Sequence, residues 1–453
     1  MNLPNYFLAD LPPQAELTEA IITEACQTLK RNRERYLESR TTAGIIGVIV
    51  DVAQQWLRPG YPFREMVFEH GPGKSGFSRE TLREGLDRFF AQITSDNLHR
   101  LILQDLGHLQ RMEGLQSNDD EQRSDRASMA RGPELLVHIT GGCLPNPALT
   151  SMLLGLLVRS AQFVKCASGT AFIPRLFAHS LYEADPKLAS CLEVAEWKGG
   201  TEPLEAALFA EANGLTATGS NESLMAIQKR LPPHVRFIGH GHRVSFGYVC
   251  HEALSGMQPQ KCVSRAAADV IAWDQLGCLS PHLLYVETGG KLSPEQFAAA
   301  LAGELARLEL IQPRGSVSLE TSANIASRRA FYEVRAAHSS ETKMWASRGS
   351  TAWTVIYEAD PQFQLSCLNR FIYVKAVADL KQALQGADAV RDQVSTVGIA
   401  APEHRAAELA NALARWGVTR VCPLGQMQNP PFTWRHDGRP SLGDLITWTD
   451  WEL

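Results

Sequence analysis

The stretch Trp273-Asp-Gln-Leu-Gly-Cys278-Leu-Ser-Pro281-His-Leu-Leu-Tyr-Val-Glu287 holds the residues best suited to chemistry. Cys278 stands at a bend between a polar Asp-Gln step and a Ser-Pro step. The apolar run Leu283 to Val286 then has strand length rather than helix length. A turn followed by a buried strand holds a thiol at the edge of a sheet, where it can act as a nucleophile. The competing role for a lone cysteine is that of a small buried apolar residue.

Other residues invite weaker readings. Thr218-Gly219-Ser220 precedes a helical pattern, so its N–H groups and the helix dipole can face an anion, or Ser220 can act as a plain N-cap. Lys165 ends an apolar Phe-Val step, and Ser168 follows it by three residues. Asn146 lies in Pro-Asn-Pro, which is ordinary turn chemistry. His240-x-His242, with His251 and Glu252 nearby, has the look of metal ligands, because i and i+2 on a strand share a face. Adjacent glycines and Arg243 speak instead for a polar loop.

Taken together, these segments resemble the aldehyde dehydrogenase superfamily, and within it the acyl-CoA reductase family of bacterial luminescence. Asp274-Gln-x-x-Cys278-x-Ser-Pro281-x-x-x-x-Val-Glu287 is similar to the superfamily's catalytic-cysteine segment. Leu144-Pro-Asn146-Pro147 resembles its oxyanion segment. Phe163-Val-Lys165-Cys-Ala-Ser168 resembles its cofactor-binding strand end, Thr218-Gly-Ser220 its pyrophosphate turn, and Pro423-Leu-Gly425 its late Pro-Phe-Gly segment. All occur in the expected order from Pro133 onward.

The resemblance implies an α/β fold, aldehyde-dehydrogenase-like, with a doubly wound cofactor domain plus a second α/β catalytic domain. It implies a reductase that converts a long-chain acyl thioester, acyl-CoA foremost, to the aldehyde through an acyl-enzyme on Cys278. Asn146 and the Cys278 backbone N–H would stabilise the oxyanion. Lys165, Ser168, Thr218, Gly219 and Ser220 would hold the cofactor. Ser168 replaces a glutamate that, in relatives using NAD, repels a 2′-phosphate, so NADPH is expected. Where oxidising relatives carry a water-activating glutamate, the chain reads Gly239-His240-Gly-His242-Arg243, and His240 becomes a candidate proton donor. The family's ribose-binding glutamate has no counterpart in Phe363 to Arg370. A homo-oligomer is expected, with a partner enzyme able to supply the acyl group. Two alternatives are a non-catalytic subunit that binds an acyl carrier, and a metal-dependent hydrolase using His240 and His242.

The 453 residues predict two or three domains. A net charge of −5 leaves no electrostatic footprint for nucleic acid. Nine scattered cysteines, without a Cys-x-x-Cys pair, point to a reducing compartment. Met1-Asn-Leu-Pro-Asn lacks a basic start with an apolar core, and the longest apolar run, Met152 to Val158, is too short for a bilayer. A cytoplasmic protein without a membrane span is expected.

These residues need elements to position them. Residues 14–110 read as helical, with Ser78 capping one helix, and 113–131 as a polar linker. Strands at 135–139, 163–165, 192–195, 215–217 and 235–238 alternate with helices at 147–159, 170–182, 202–211 and 220–231, which makes βαβ units. Thr170 is expected to cap the second of these helices. A helix from Ser293-Pro294, a strand at 371–374, a helix from Asp379, a helix from Pro402 to Trp416 ended by Gly417, and a strand at 418–422 follow. The expected domains are 1–132, the helical part of the cofactor domain, 133–250, the dinucleotide-binding domain, 251–420, the catalytic domain, and 421–453, a return to the first. Trp448 and Trp451 belong to packing or to a subunit contact, with packing the expected role.

Overall fold

The computed structural model describes residues 3–12, 14–256 and 259–452. Met1 and Leu453, the ends of the expected domains, lie outside them. The chain forms two compact units. The first comprises 1–75, 86–241 and 431–453, and the second 76–85 and 242–430.

The first unit opens with helices Glu19–Tyr36, Thr42–Leu57 and Pro62–Ser75, as the spacing predicts. Strand β1 (Arg126–Arg131) follows, where the sequence suggests only a linker. Its charged, exposed ends and a serine in a buried position hide the strand. Its partner lies more than three hundred residues away, where local pattern cannot reveal it. Next come β2 (Leu135–Thr140), β3 (Ala161–Cys166), β4 (Leu192–Glu196), β5 (Gly214–Thr218) and β6 (Arg236–His240). They form one sheet of order β4-β3-β2-β5-β6, parallel throughout. Helices cover both faces of an all-parallel sheet, so its strands read as continuous apolar runs. On one face Ile22, Cys26 and Leu29 of the first helix pack with Leu204 and Leu208 against Val137 and Phe163. The winding reverses at β2, so the crevice between the carboxyl ends of β2 and β5 is the topological switch point where such sheets bind ligands.

The second unit contains β7 (Val244–Val249), β8 (Pro281–Glu287), β9 (Thr342–Ala346), β10 (Thr354–Glu358), β11 (Phe371–Val377), β12 (Val394–Ala400) and β13 (Arg420–Pro423). Their order is β13-β12-β7-β8-β11-β10-β9, parallel except for β9 at the edge. β7 begins ahead of the boundary expected near 250. β8 is central and buried along its whole length. Helices Pro259–Ile271 and Pro294–Glu309 cover one face. Leu319–His338, Leu380–Gly386 and Glu403–Trp416 cover the other. Ser293 and Gln296 form a capping box at the start of the Pro294 helix, and Gly417 (φ 117°) ends the Glu403 helix, as expected.

The chain returns to the first unit as β14 (Thr447–Glu452), antiparallel to β1. Trp448 and Trp451 lie on it, 44% and 50% exposed, so the packing role expected for them is not found within this chain. A two-stranded ribbon has no second layer to bury an aromatic, and the Arg111 guanidinium sits 5.8 Å over Trp448 instead. No helix among the described residues is long and apolar enough to cross a membrane.

Candidate active site

The cysteines sort themselves by burial. Six are buried and Cys367 is half-buried, whereas Cys143 and Cys278 are exposed. Burial pushes the thiols of Cys26, Cys166, Cys191 and Cys250 up to about 12 and that of Cys422 to about 11, and raises those of Cys262 and Cys367. A thiol so shifted stays protonated at neutral pH and does not attack. Among the described residues, none of the nine is in a disulfide.

Cys278 sits in the turn just ahead of β8, as the sequence predicts. The turn is closed by the Ser280 N–H donating to the Gly277 carbonyl at 2.9 Å. Ser245 Oγ on β7 donates to the Cys278 carbonyl at 2.9 Å. The Gln428 amide donates to Ser280 Oγ. Gly277 leaves room for the same contact, because a Cβ there would stand 2.2 Å from Gln428 Nε2 and would push the amide aside. Ser245 and Gln428 come from remote segments and carried no signal in the sequence.

The backbone behind this turn is unusual. Trp273, Asp274 and Gln275 are all left-handed, at φ 50°, 50° and 65°. Leu368, Asn369 and Arg370 repeat the pattern, at 55°, 54° and 64°, just ahead of β11, the strand next to β8. Each left-handed residue with a side chain costs about 1–2 kcal/mol, so its surroundings must impose it. A buried ion pair joins the two runs. Arg370 Nε donates to Asp274 Oδ1 at 2.9 Å, and the guanidinium also reaches Glu309 Oε2 at 2.9 Å and the Gln312 carbonyl at 2.8 Å. Asp274 Oδ2 accepts the Gly315 N–H at 3.0 Å.

His282, four residues beyond Cys278, is buried and accepts the Ser366 N–H on Nδ1 at 3.2 Å. Burial, then the charge of His242, brings its pKa down to about 4. It is therefore neutral at physiological pH and cannot supply a cation to activate a thiol. Ser366 comes from the segment where the sequence shows no counterpart of the family's ribose-binding glutamate.

The remaining candidates lie on the first unit, at the carboxyl edge of its sheet. Asn146 opens helix Asn146–Leu157 directly after β2, and its side chain makes no capping bond. Its Oδ1 is buried without a hydrogen-bond partner among the described residues. Turn chemistry would have used that atom. A buried amide oxygen left unpaired costs about 1–3 kcal/mol, and such sites are where function is sought.

Lys165 is 3% exposed rather than solvated, with Nζ 5.7 Å over the Trp197 ring. Burial lowers its pKa, while Glu205 opposes the shift. Ser168 is exposed on the turn after β3. The helix that follows is Phe172–Ala184, and Thr170 does not cap it. Glu196 at the end of β4 does so instead, accepting the Gly169 and Ala171 N–H groups at 2.8 and 3.0 Å. A carboxylate there suits the dipole and satisfies two donors, where a threonine hydroxyl would satisfy one. Ser220 caps helix Asn221–Arg230 by accepting the Ser223 N–H at 3.2 Å, and Thr218 ends β5. The Gly219 N–H, expected to face an anion, donates to the His240 carbonyl at 3.2 Å.

His240 ends β6 at the same edge. Its Nδ1 lies 3.0 Å from Asp437 Oδ2, and its ring stacks on His436 at 4.1 Å and 6°. Asp437 is separated by 197 residues in sequence, so this orienting partner was invisible there. An Asp-held imidazole has a fixed tautomer, which suits proton transfer through Nε2. Asp437→Asn is expected to lower turnover about tenfold, a part of the ~10²-fold that His240→Ala costs if His240 moves the proton. Steady-state kcat for both variants checks it, and unchanged kcat in both removes His240 from the mechanism.

Among the described residues, two groups could be taken for metal sites. His240 and His436 lie face to face, so their in-plane lone pairs run side by side instead of converging on one ion with Asp437. His251, Glu252 and Glu287 already face a cation, since Arg405 lies 2.9 Å from Glu252 and 3.3 Å from Glu287. His242 belongs to neither group.

A family profile described as Acyl-CoA reductase (LuxC) matches residues 37–448. The chain belongs to this family. Membership makes it an acyl reductase, an oxidoreductase, as the catalytic-cysteine segment suggests. The chain is 24% identical over 421 residues to the long-chain acyl-protein thioester reductase of Aliivibrio fischeri, across 90% of this chain and 82% of that protein. It is 23% identical over 320 residues to the enzyme of the same name from Vibrio harveyi, across 70% of this chain and 64% of that one. Among solved structures it resembles an NAD-dependent benzaldehyde dehydrogenase of Corynebacterium glutamicum, with a TM-score of 0.69, 12% identity and coverage of 97% and 91%. It also resembles glyceraldehyde-3-phosphate dehydrogenase GapN of Methanocaldococcus jannaschii, complexed with NADP, with a TM-score of 0.66, 11% identity and coverage of 96% and 94%. Against a proline utilization A (PutA) structure the TM-score is 0.70 at 17% identity, and the chain spans 45% of that protein. The fold is that of the aldehyde dehydrogenases.

Proposed function

We propose that this member of the family converts a long-chain acyl thioester to the aldehyde with NADPH, through an acyl-enzyme on Cys278. The observation that carries the reading is an exposed Cys278 in a firmly held turn, in a chain whose other cysteines, save Cys143, are partly or wholly buried. The Cys278 thiolate attacks the thioester carbonyl. The tetrahedral intermediate collapses as the substrate's thiolate leaves, and oxyanion stabilisation is the role we propose for the Asn146 amide and for the Cys278 N–H. NADPH would be held by Lys165, Ser168, Thr218, Gly219 and Ser220, and it would supply the hydride that reduces the acyl group to the aldehyde level. His240 would lend a proton to the oxygen of the hemithioacetal and take it back as the C–S bond breaks, which frees the aldehyde and regenerates the Cys278 thiolate. A carboxylate that activates water is missing from Gly239 to Arg243, which protects the acyl-enzyme from hydrolysis.

The residues at that edge fit the cofactor. Lys165 brings a buried cation beside an aromatic ring, and Ser168 presents a hydroxyl where a glutamate would repel a 2′-phosphate. Glu196 adds a carboxylate to the same turn, but both its oxygens accept N–H bonds from the backbone. The acyl donor is long-chain acyl-CoA or an acyl group carried on a protein thiol, as the names of the two relatives suggest. A cytosolic homo-oligomer suits the reading, and light scattering tests the assembly.

The test is aldehyde formation from long-chain acyl-CoA and from acyl-carrier protein, with NADPH and NADH in parallel. NADPH is expected to be preferred, and Ser168→Glu to cut that preference about tenfold or more by like-charge repulsion with the 2′-phosphate. Binding of acyl carrier without reduction would make the chain a binding subunit instead.

A further inference from the structure

The Cys278 turn is bracketed by one side chain, that of Gln275. This residue is fully buried, left-handed, and only three positions ahead of the nucleophile. Its Nε2 donates to the Pro281 carbonyl at 2.8 Å and to the Phe371 carbonyl at 2.9 Å. Both partners are obligate acceptors, so the orientation of the amide is fixed by chemistry and not by choice. The first bond joins the two ends of the segment 276–280 that carries Cys278. The second fastens that segment to the adjacent strand. Pro281 and Phe371 lie two residues ahead of Leu283 and Tyr373, the first pair of the β8–β11 ladder. The amide therefore stands in for a rung that the backbone does not make.

Several details show that this amide is more than core filling. Gln275 Oε1 has no hydrogen-bond partner among the described residues, so a burial cost is borne for the sake of the two N–H bonds. An apolar side chain of equal length would avoid that cost and lose only the bracket. The left-handed backbone that aims Gln275 at both carbonyls is held through its neighbour Asp274, by the buried pair with Arg370. Arg370 itself ends the left-handed run that delivers Phe371. The two runs, the ion pair and the amide thus form one brace across the amino ends of β8 and β11.

We infer that Gln275 is a positioning residue of the nucleophile, setting the place of the Cys278 thiol by tying the ends of its turn to each other and to β11. The inference rests on the reading of Cys278 as the nucleophile. It predicts an effect on the chemical step and little on binding, because Gln275 is too deeply buried to meet a ligand.

The decisive experiment is Gln275→Met, which keeps length and volume and deletes both donors. It is read in two ways: kcat and KM for NADPH-dependent reduction of a long-chain acyl thioester, and the rate at which iodoacetamide alkylates Cys278, located by mass spectrometry. The expected result is a fall in kcat of about tenfold to a hundredfold with KM nearly unchanged, since displacement of a reacting group by about 1 Å carries losses of that size. The alkylation rate is expected to change with it. A folded Gln275→Met protein whose kcat and alkylation rate match the parent overturns the inference. If that variant does not fold, Gln275→Glu serves. Its buried acid, when neutral, keeps one donor, so its activity is expected to fall with rising pH relative to the parent. A pH profile superimposable on the parent's overturns the inference as well. Cys278→Ala separates the two readings. If it still yields aldehyde, the nucleophile assignment fails, and the alkylation rate alone then decides the role of Gln275.

Discussion

Cys278→Ala is expected to abolish aldehyde formation, with a loss of about 10⁴-fold or more, and to leave the fold intact. Removing a covalent nucleophile takes away the acyl-enzyme itself, so the residual rate is whatever binding and the oxyanion donors supply. Stability should hardly change. Cys278 is exposed, and substitutions at exposed positions usually stay within about 0.5 kcal/mol. The pins on its turn survive, because Ser245 bonds the Cys278 carbonyl and Gln428 bonds Ser280. The check is NADPH oxidation and aldehyde yield with a long-chain acyl thioester, alongside mass spectrometry of the acyl adduct. Cys143→Ala is the informative control, since Cys143 is the other exposed thiol and lies three residues before Asn146. Loss of the adduct in Cys143→Ala and its retention in Cys278→Ala would reverse the two roles.

Much of this fold is legible because its strands are buried on both faces. Val137, Phe163, Leu215 and Leu284 sit in runs of apolar residues short enough to be strands, and helical spacing lies between them. The caps at Ser220, Ser293 and Gly417 follow from local chemistry alone. What escaped reading is edge structure and long-range pairing. β14 is polar and exposed along its length, and β1 is short and ends in arginines, so their pairing with each other leaves no local pattern. Helix Leu319–His338 buries little besides Ile325 and Tyr332, so its periodicity is weak. Glu196 displaced Thr170 as a cap because a carboxylate arrived from the next strand. The same division applies to the site. Cys278, Asn146, Lys165 and His240 were legible as residue types in motifs. The groups that hold the Cys278 turn, Ser245, Gln428 and Arg370, and the one that holds His240, Asp437, come from segments far away in sequence. A motif records what does the chemistry; the fold alone says what aims it.

Arg370→Met is expected to destabilise the second unit by about 3–5 kcal/mol, lowering its melting temperature by roughly 10 °C. The size follows from where the charge sits. Arg370 is 1% exposed and Asp274 3%, so removing the guanidinium leaves a carboxylate buried with the Gly315 N–H as its remaining donor. Ion pairs at the surface behave differently. Arg123 and Asp120, with side chains 75% and 90% exposed, are screened by water, and breaking that pair should go unnoticed in a melt. The left-handed runs sharpen the expectation. Trp273 to Gln275 and Leu368 to Arg370 keep an unfavourable backbone only while their neighbours impose it, so loss of the pair releases both runs. Removing the orphaned charge as well, in Asp274→Asn with Arg370→Met, should recover part of the stability, because a neutral amide is far less costly to bury than an unpaired carboxylate. Thermal melts of the two variants beside Arg123→Met measure this. If Arg370→Met melts with the parent, the turns are held by packing alone, and the ion pair is a consequence of their shape instead of its cause.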